Sequence, residues 1–150
     1  MPIKKILLLI SFVFTCAQAE LGLSATLGSI SPKHNFSDLH LDFNGNLWYQ
    51  FDQMVFLGAG SGIQTFGGEQ YIPALGSIFM RLPIGGQILP VATGDIGYSF
   101  GSESQSLWRA GGGFDIKNGD RSSLLLLGGY QSFAKFGAYV YLRAGLLLEF

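Results

Sequence analysis

The last thirteen residues, Ala138–Phe150, separate at a period of two into a wholly apolar file and a mixed one. Ala138, Val140, Leu142, Ala144, Leu146, Leu148 and Phe150 form the first. Tyr139, Tyr141, Arg143, Gly145, Leu147 and Glu149 form the second, with every charge and both hydroxyls. A strand sends alternate side chains to opposite faces, so this segment reads as a strand with one hydrocarbon face. The same pattern recurs upstream. Glu20–Ile30 places Leu21, Leu23, Ala25 and Leu27 on one face, and a polar loop, Ser31–Ser37, follows. In Asp38–Phe51, Leu39, Leu41, Phe43, Gly45, Leu47, Tyr49 and Phe51 alternate with His40, Asp42, Asn44, Asn46, Trp48 and Gln50. Asp52-Gln53 turns the chain into Met54–Thr65, where Val55, Leu57, Ala59, Ser61 and Ile63 face away from Phe56 and Gln64.

Four further segments complete the set. A loop at Phe66–Tyr71 leads to Ile72–Ile84, with Ile78, Met80 and Leu82 opposite Ser77, Phe79 and Arg81. After a turn at Gly85–Pro90, Val91–Phe100 sets Ile96, Tyr98 and Phe100 against Thr93, Asp95, Gly97 and Ser99. Gly101–Ser106 connects to Leu107–Lys117, with Trp108, Ala110, Phe114 and Ile116 opposite Arg109, Asp115 and Lys117. Asn118-Gly119-Asp120 is a hairpin signal. In Ser122–Ser132 the run Leu124–Leu127 obscures the parity; Leu124, Leu126 and Tyr130 are assigned to the apolar face. Phe133–Gly137 leads into the last strand. No segment has a 3.6-residue period.

The arginines decide which face meets what. Arg81, Arg109 and Arg143 all lie on the mixed files, together with Asp42, Asp95, Asp115 and Glu149. One Arg at a lipid-facing midplane costs about 2–4 kcal/mol, so three would cost roughly 6–12 kcal/mol. Turned inward, they find carboxylates. These seven residues are therefore expected to form a charge network in the lumen of an eight-stranded antiparallel up-and-down transmembrane β-barrel. A soluble barrel of lipocalin shape would reverse the two faces. With both termini at one end, the turns at Asp52-Gln53, Gly85–Pro90 and Asn118–Asp120 lie there too, the periplasmic side, and the other four loops lie outside.

Met1–Ala19 reads as a secretory signal: Lys4 and Lys5 precede the apolar core Ile6–Phe14, and Ala17-Gln18-Ala19 is a small-x-small cleavage site before Glu20. Lipidation of Cys16 is disfavoured, because Thr15 and the bulky Phe14 precede it. Removing the first 19 of 150 residues leaves 131, a single domain over 20–150. It also removes the only cysteine, and with it any disulfide or thiol chemistry. Without Lys4 and Lys5, seven of the nine Lys and Arg face ten Asp and Glu, a net charge of −3. No basic cluster marks a nucleic-acid partner. The mature part has no apolar run of helix-spanning length, and a closed barrel is the remaining way to satisfy every backbone polar group in lipid.

The terminal Phe150, with Leu142, Leu146 and Leu148 behind it, resembles the signal by which outer-membrane barrels are recognised for assembly. In size, pattern and terminus the mature chain is similar to the small eight-stranded outer-membrane β-barrel proteins of the OmpA/OmpX-like class, although its outer loops are shorter. The resemblance implies location in a bacterial outer membrane, with outer-membrane lipids and the barrel-assembly machinery as partners.

Candidate chemistry is sparse. Gly58-Ala59-Gly60-Ser61-Gly62 lacks the Lys-Ser/Thr ending of a phosphate loop and opens no helix. Its alternate glycines, like Gly111-Gly112-Gly113, give room to large lumen neighbours. His40 and Asp42 share the inner face and would suit a base and its orienting carboxylate, but hydrogen-bonded lumen residues are the expectation. Lipid A deacylases set a His and a Ser two apart near the C-terminal end, and both histidines here, His34 and His40, come early. No Cys/His/Asp cluster has metal-ligand spacing, so neither a metal nor a cofactor is expected. Asn35-Phe36-Ser37 matches a glycosylation sequon, which carries little meaning in a bacterial envelope protein. Phe66, Phe133 and Phe136 are assigned to the headgroup-level aromatic girdle. The sequence thus points to a non-enzymatic outer-membrane barrel with a structural or surface-interaction role and a filled lumen. The alternatives are a lipid-modifying barrel enzyme (acyl hydrolase or acyltransferase) and a small channel.

Overall fold

In the computed structural model, residues 20–33 and 38–150 are described. The expected signal (Met1–Ala19), His34 and the Asn35-Phe36-Ser37 sequon lie outside them. The described chain forms eight strands: β1 (Leu21–Pro32), β2 (His40–Gln50), β3 (Val55–Phe66), β4 (Glu69–Arg81), β5 (Ile88–Phe100), β6 (Gln105–Lys117), β7 (Ser122–Phe133) and β8 (Gly137–Glu149). Each pairs antiparallel with its neighbours in sequence, and β1 pairs with β8, from Gly22↔Glu149 to Pro32↔Tyr139, so the sheet closes into a barrel. Strands of 11 to 13 residues meet the length a tilted strand needs to cross a bilayer.

Alternation sorts the faces as the sequence implies. Leu27, Leu41, Leu47, Ile96, Leu142 and Leu146 stand exposed on the outer wall, Ile96 at 72 %. Asp42, Asn44, Gln64, Asp115 and Gln131 are fully buried inside. In β7, Leu125 and Leu127 are buried while Leu124 and Leu126 are exposed, the assigned parity. Aromatics stand on the outside of the barrel towards both ends, Tyr98, Phe100 and Trp108 at one and Phe51, Phe114 and Phe150 at the other.

Three expected loops prove shorter. Phe66 pairs with Glu69, so Phe66–Tyr71 is not a loop: Gly67 and Gly68, at φ +57° and +84°, make a two-residue hairpin turn, a geometry glycine adopts without penalty. β4 accordingly starts at Glu69 rather than Ile72. β5 starts at Ile88, inside the expected Gly85–Pro90 turn, and β6 at Gln105. At the end holding the termini, Asp52 Oδ1 accepts hydrogen bonds from the backbone N–H groups of Met54 and Val55 (2.7 and 2.8 Å), an Asx turn that fixes the β2–β3 connection.

Candidate functional site: the barrel lumen

Three tiers of side chains fill the lumen. The tier at the end opposite the termini is aromatic. Phe66 lies 5.2 Å from Phe133 and 5.2 Å from Tyr139, ring centre to ring centre, and 5.7 Å from Tyr71. Phe136 closes the group against Tyr71 (5.5 Å), and His40 lies 5.3 Å from Phe66. Phe66 and Phe133 are buried, and Phe136 packs partly buried against them. The girdle assignment of Phe66, Phe133 and Phe136 is thereby overturned. Phe66 has the parity of Phe56 and Gln64, and Phe133 that of Leu125 and Gln131, so both point inward, where edge-to-face packing is favourable.

Two residues further in lies a polar tier. Arg143 Nε donates to Asp42 Oδ2; Gly28 pairs with both Asp42 and Arg143 on its two neighbouring strands, and a Cβ there would strike the backbone at Leu142. Asp42 Oδ1 accepts from Asn44 Nδ2 (2.6 Å) and Gln64 Nε2 (3.0 Å). Gln64 and Gln131 exchange amide hydrogen bonds of 3.0 and 3.2 Å. Arg109 donates through Nε to Gln131 Oε1 (2.6 Å) and through Nη1 to Asn44 Oδ1 (3.0 Å), and it faces Asp95 at 3.7 Å. The Arg143 guanidinium also lies over the Tyr141 ring, 4.3 Å from its centre.

The third tier, near the termini, joins an aromatic box to a second charge cluster. Phe79 packs against Trp48 and Phe56, and the Trp48 indole N–H donates to Ser24 Oγ (2.8 Å). Arg81 lies 4.6 Å from the Phe56 ring centre, and its guanidinium donates to Asp115 and Glu149. Lys117 Nζ donates to Glu149 at 3.2 Å.

All seven residues of the sequence-derived charge network thus lie in the lumen, but in two clusters. Asp42, Asp95, Arg109 and Arg143 form one; Arg81, Asp115 and Glu149 form the other. Each balances its charges, the second through Lys117. Sequence reasoning left out Lys117, Asn44, Gln64 and Gln131 as bonding partners. The signal was available: Lys117, Asn44 and Gln64 sit on inner files already drawn, and Gln131 faces Arg109 across the β6–β7 hairpin.

The glycines of the superficial phosphate-loop segment receive neighbouring side chains. A Cβ on Gly58 would lie 2.5 Å from the Trp48 indole, and one on Gly60 would strike the Asn46 amide. At Gly111 it would strike the Tyr141 hydroxyl. His40 faces Asp38 at 3.6 Å, whereas the carboxylate of Asp42 is taken up by Arg143, Asn44 and Gln64. Among the described residues, no group of three or more His, Cys, Asp or Glu could hold a metal ion. The proposed assembly residues Leu142, Leu146, Leu148 and Phe150 are exposed along the outer face of β8 and just beyond it, and the Phe150 N–H donates to Leu21 O (2.7 Å).

No protein-family model and no curated protein sequence matches the chain. Solved structures do. Neisserial surface protein A (NspA) is 9 % identical, over 88 % of this chain and 97 % of that one, with a TM-score of 0.69. The N-terminal β-barrel domain of Pseudomonas aeruginosa OprF is 10 % identical over 89 % and 100 %, at 0.63. The outer-membrane enzyme PagL is 14 % identical over 85 % and 98 %, at 0.56. The chain therefore has the closed eight-stranded fold of small outer-membrane β-barrels, a fold that carries both enzymes and non-enzymes.

Proposed function

We propose that the chain is an integral bacterial outer-membrane protein with a structural or surface-interaction role, its lumen filled and closed to solutes. The observation that carries this reading is the three-tiered lumen. An eight-stranded barrel has an interior just wide enough for its own side chains; here aromatic rings fill the end opposite the termini, the Asp42–Arg143 cluster lies below them, and the Trp48, Phe56 and Phe79 rings with the ion pairs of Arg81, Asp115, Lys117 and Glu149 fill the end near the termini. Outer-membrane lipids face the Leu and Ile of the outer wall. The barrel-assembly machinery reads the file Leu142, Leu146, Leu148 and Phe150 after export by the N-terminal signal. Against a lipid-modifying enzyme stands the engagement of Asp42 with Arg143, which leaves His40 without that carboxylate as an orienting partner.

Three measurements test the proposal. The protein should stay with outer membranes through carbonate and high-salt washing, and in detergent it should migrate differently on SDS gels before and after boiling. In planar bilayers it should give no steady conductance. Recovery in the soluble periplasm would remove the membrane reading, and an ion-selective current altered by Arg143→Ala would make the protein a small channel.

A further inference from the structure

The outer wall has a recess on one side. In β4 and β5 the outward positions Gly76 and Gly94 carry no side chain, beside Ile96 and Ile78 respectively. With Leu57, Ile78, Ile96 and Trp108 standing around them, they floor a groove of about 690 Å³. These four side chains are 37 to 72 % exposed, so the groove opens on the hydrocarbon-facing surface and is walled by hydrocarbon.

The fold does not require glycine at either position. At Gly62, Gly97 and Gly145 in the lumen, a Cβ would run into backbone of the neighbouring strand. At Gly76 the nearest atom to a Cβ would be Ile96 O at 3.9 Å, an ordinary contact; at Gly94 it would be the Ile78 Cγ2 methyl at 3.3 Å, which would have to give by a few tenths of an ångström. Neither meets backbone at close range and neither has a positive φ. Glycine inside a strand weakens it, and where no bulge or bend explains it, it marks the close approach of something from outside.

We propose that this recess is a binding site for one acyl chain of a membrane lipid. The inference rests on the membrane reading above. An acyl chain is the occupant that fits the geometry: the recess is one side chain deep, apolar and continuous with the lipid-facing wall. A second barrel presents a convex wall that meets another along a line and leaves such a recess unfilled. A flexible chain of methylenes follows it and gains contacts on three sides instead of one, each weak and together substantial.

The test is photolabelling of the protein in phosphatidylethanolamine nanodiscs doped with phosphatidylethanolamine bearing a diazirine near its tail, with adducts mapped by peptide mass spectrometry. Adducts at Leu57, Ile78 and Ile96 should exceed those at Leu27 and Leu142, exposed on the opposite wall, severalfold. Gly76→Leu with Gly94→Leu should bring the groove down to the level of the rest of the wall, with the heat-modifiable band confirming a folded barrel; Gly76→Ala alone should give an intermediate value. Even labelling around the wall of the unaltered protein would overturn the proposal, as would efficient barrel-to-barrel crosslinking through Ile96→Cys. No labelling anywhere would instead remove the membrane reading itself.

Discussion

The aromatic tier and the polar tier are neighbours in the lumen, two residues apart on β2 (His40, Asp42), β3 (Phe66, Gln64) and β7 (Phe133, Gln131), and they close the same space by different physics. In the aromatic tier, Phe66, Phe133, Phe136, Tyr71 and Tyr139 share many weak ring contacts. Loss of one leaves the others in contact, and the cost scales with volume removed. In the polar tier, Asp42 serves Arg143, Asn44 and Gln64 at once, and Arg109 ties Asn44, Gln131 and Asp95. Deleting one member there leaves a buried charge without its partner. The first tier should tolerate substitution in steps; the second should fail abruptly.

The sharpest break is Arg143→Ala, which strands Asp42 and should cost roughly 3–5 kcal/mol. Urea unfolding in lipid vesicles, followed by the combined fluorescence of Trp48 and Trp108, reads this directly. Replacing both partners with apolar residues, Asp42→Leu with Arg143→Met, should recover most of that loss, because an apolar pair of similar size carries no desolvation penalty. If the double variant is no better than the single one, the cost lies in packing and the contrast between tiers fails.

On the outer wall, Leu146→Arg should destabilise by about 2–4 kcal/mol if that residue sits near the midplane, and the folded, heat-modifiable band should fall accordingly. Deletion of Phe150 should reduce the same band without impairing export; normal folded levels would mean that the proposed recognition file is elsewhere. Within the aromatic tier, Phe136→Leu should cost less than about 1.5 kcal/mol, as apolar swaps that largely keep volume do. Smallest is Lys135→Ala at the same end. Its ion pair with Glu103 spans 3.6 Å with both side chains more than half exposed, and it should change stability by at most about 1 kcal/mol.

Legibility in the sequence followed the same division. Facing was legible where a charged residue sits on one file, as Arg109 and Asp42 do, because parity is a local property and one such residue orients its strand; β7 carries no charge, and its run Leu124–Leu127 obscured the parity. The charge network was legible as a set and not as two clusters, since the pairing of Arg81 with Asp115 and Glu149 depends on which residues meet across the lumen. The aromatic tier was misread because Phe66 and Phe133 were placed in loops. Once Gly67-Gly68 is seen as a complete turn, Phe66 belongs to β3 and its parity sends it inward.

The two polar anchors of β8 also determine how the barrel can shut. Ser122–Leu126 lie opposite Leu148–Ala144 across the β7–β8 hairpin, a stretch so rich in leucine that hydrophobicity alone distinguishes neighbouring alignments poorly, whereas most strands lose their whole apolar face on slipping by one residue. Gly145, by contrast, accepts only one position: a Cβ there would lie 2.6 Å from Thr26 Cα. A slip of two residues would bring Arg143 or Leu147 against Thr26 and carry Arg143 away from Asp42 and Glu149 away from Arg81 and Lys117. The leucines supply the tendency to enter lipid and say little about where to stop. Alignment of the first strand with the last is specified by one missing side chain and two paired charges, so a chain redesigned for greater hydrophobicity at Gly145, Arg143 and Glu149 would insert readily and close in several frames.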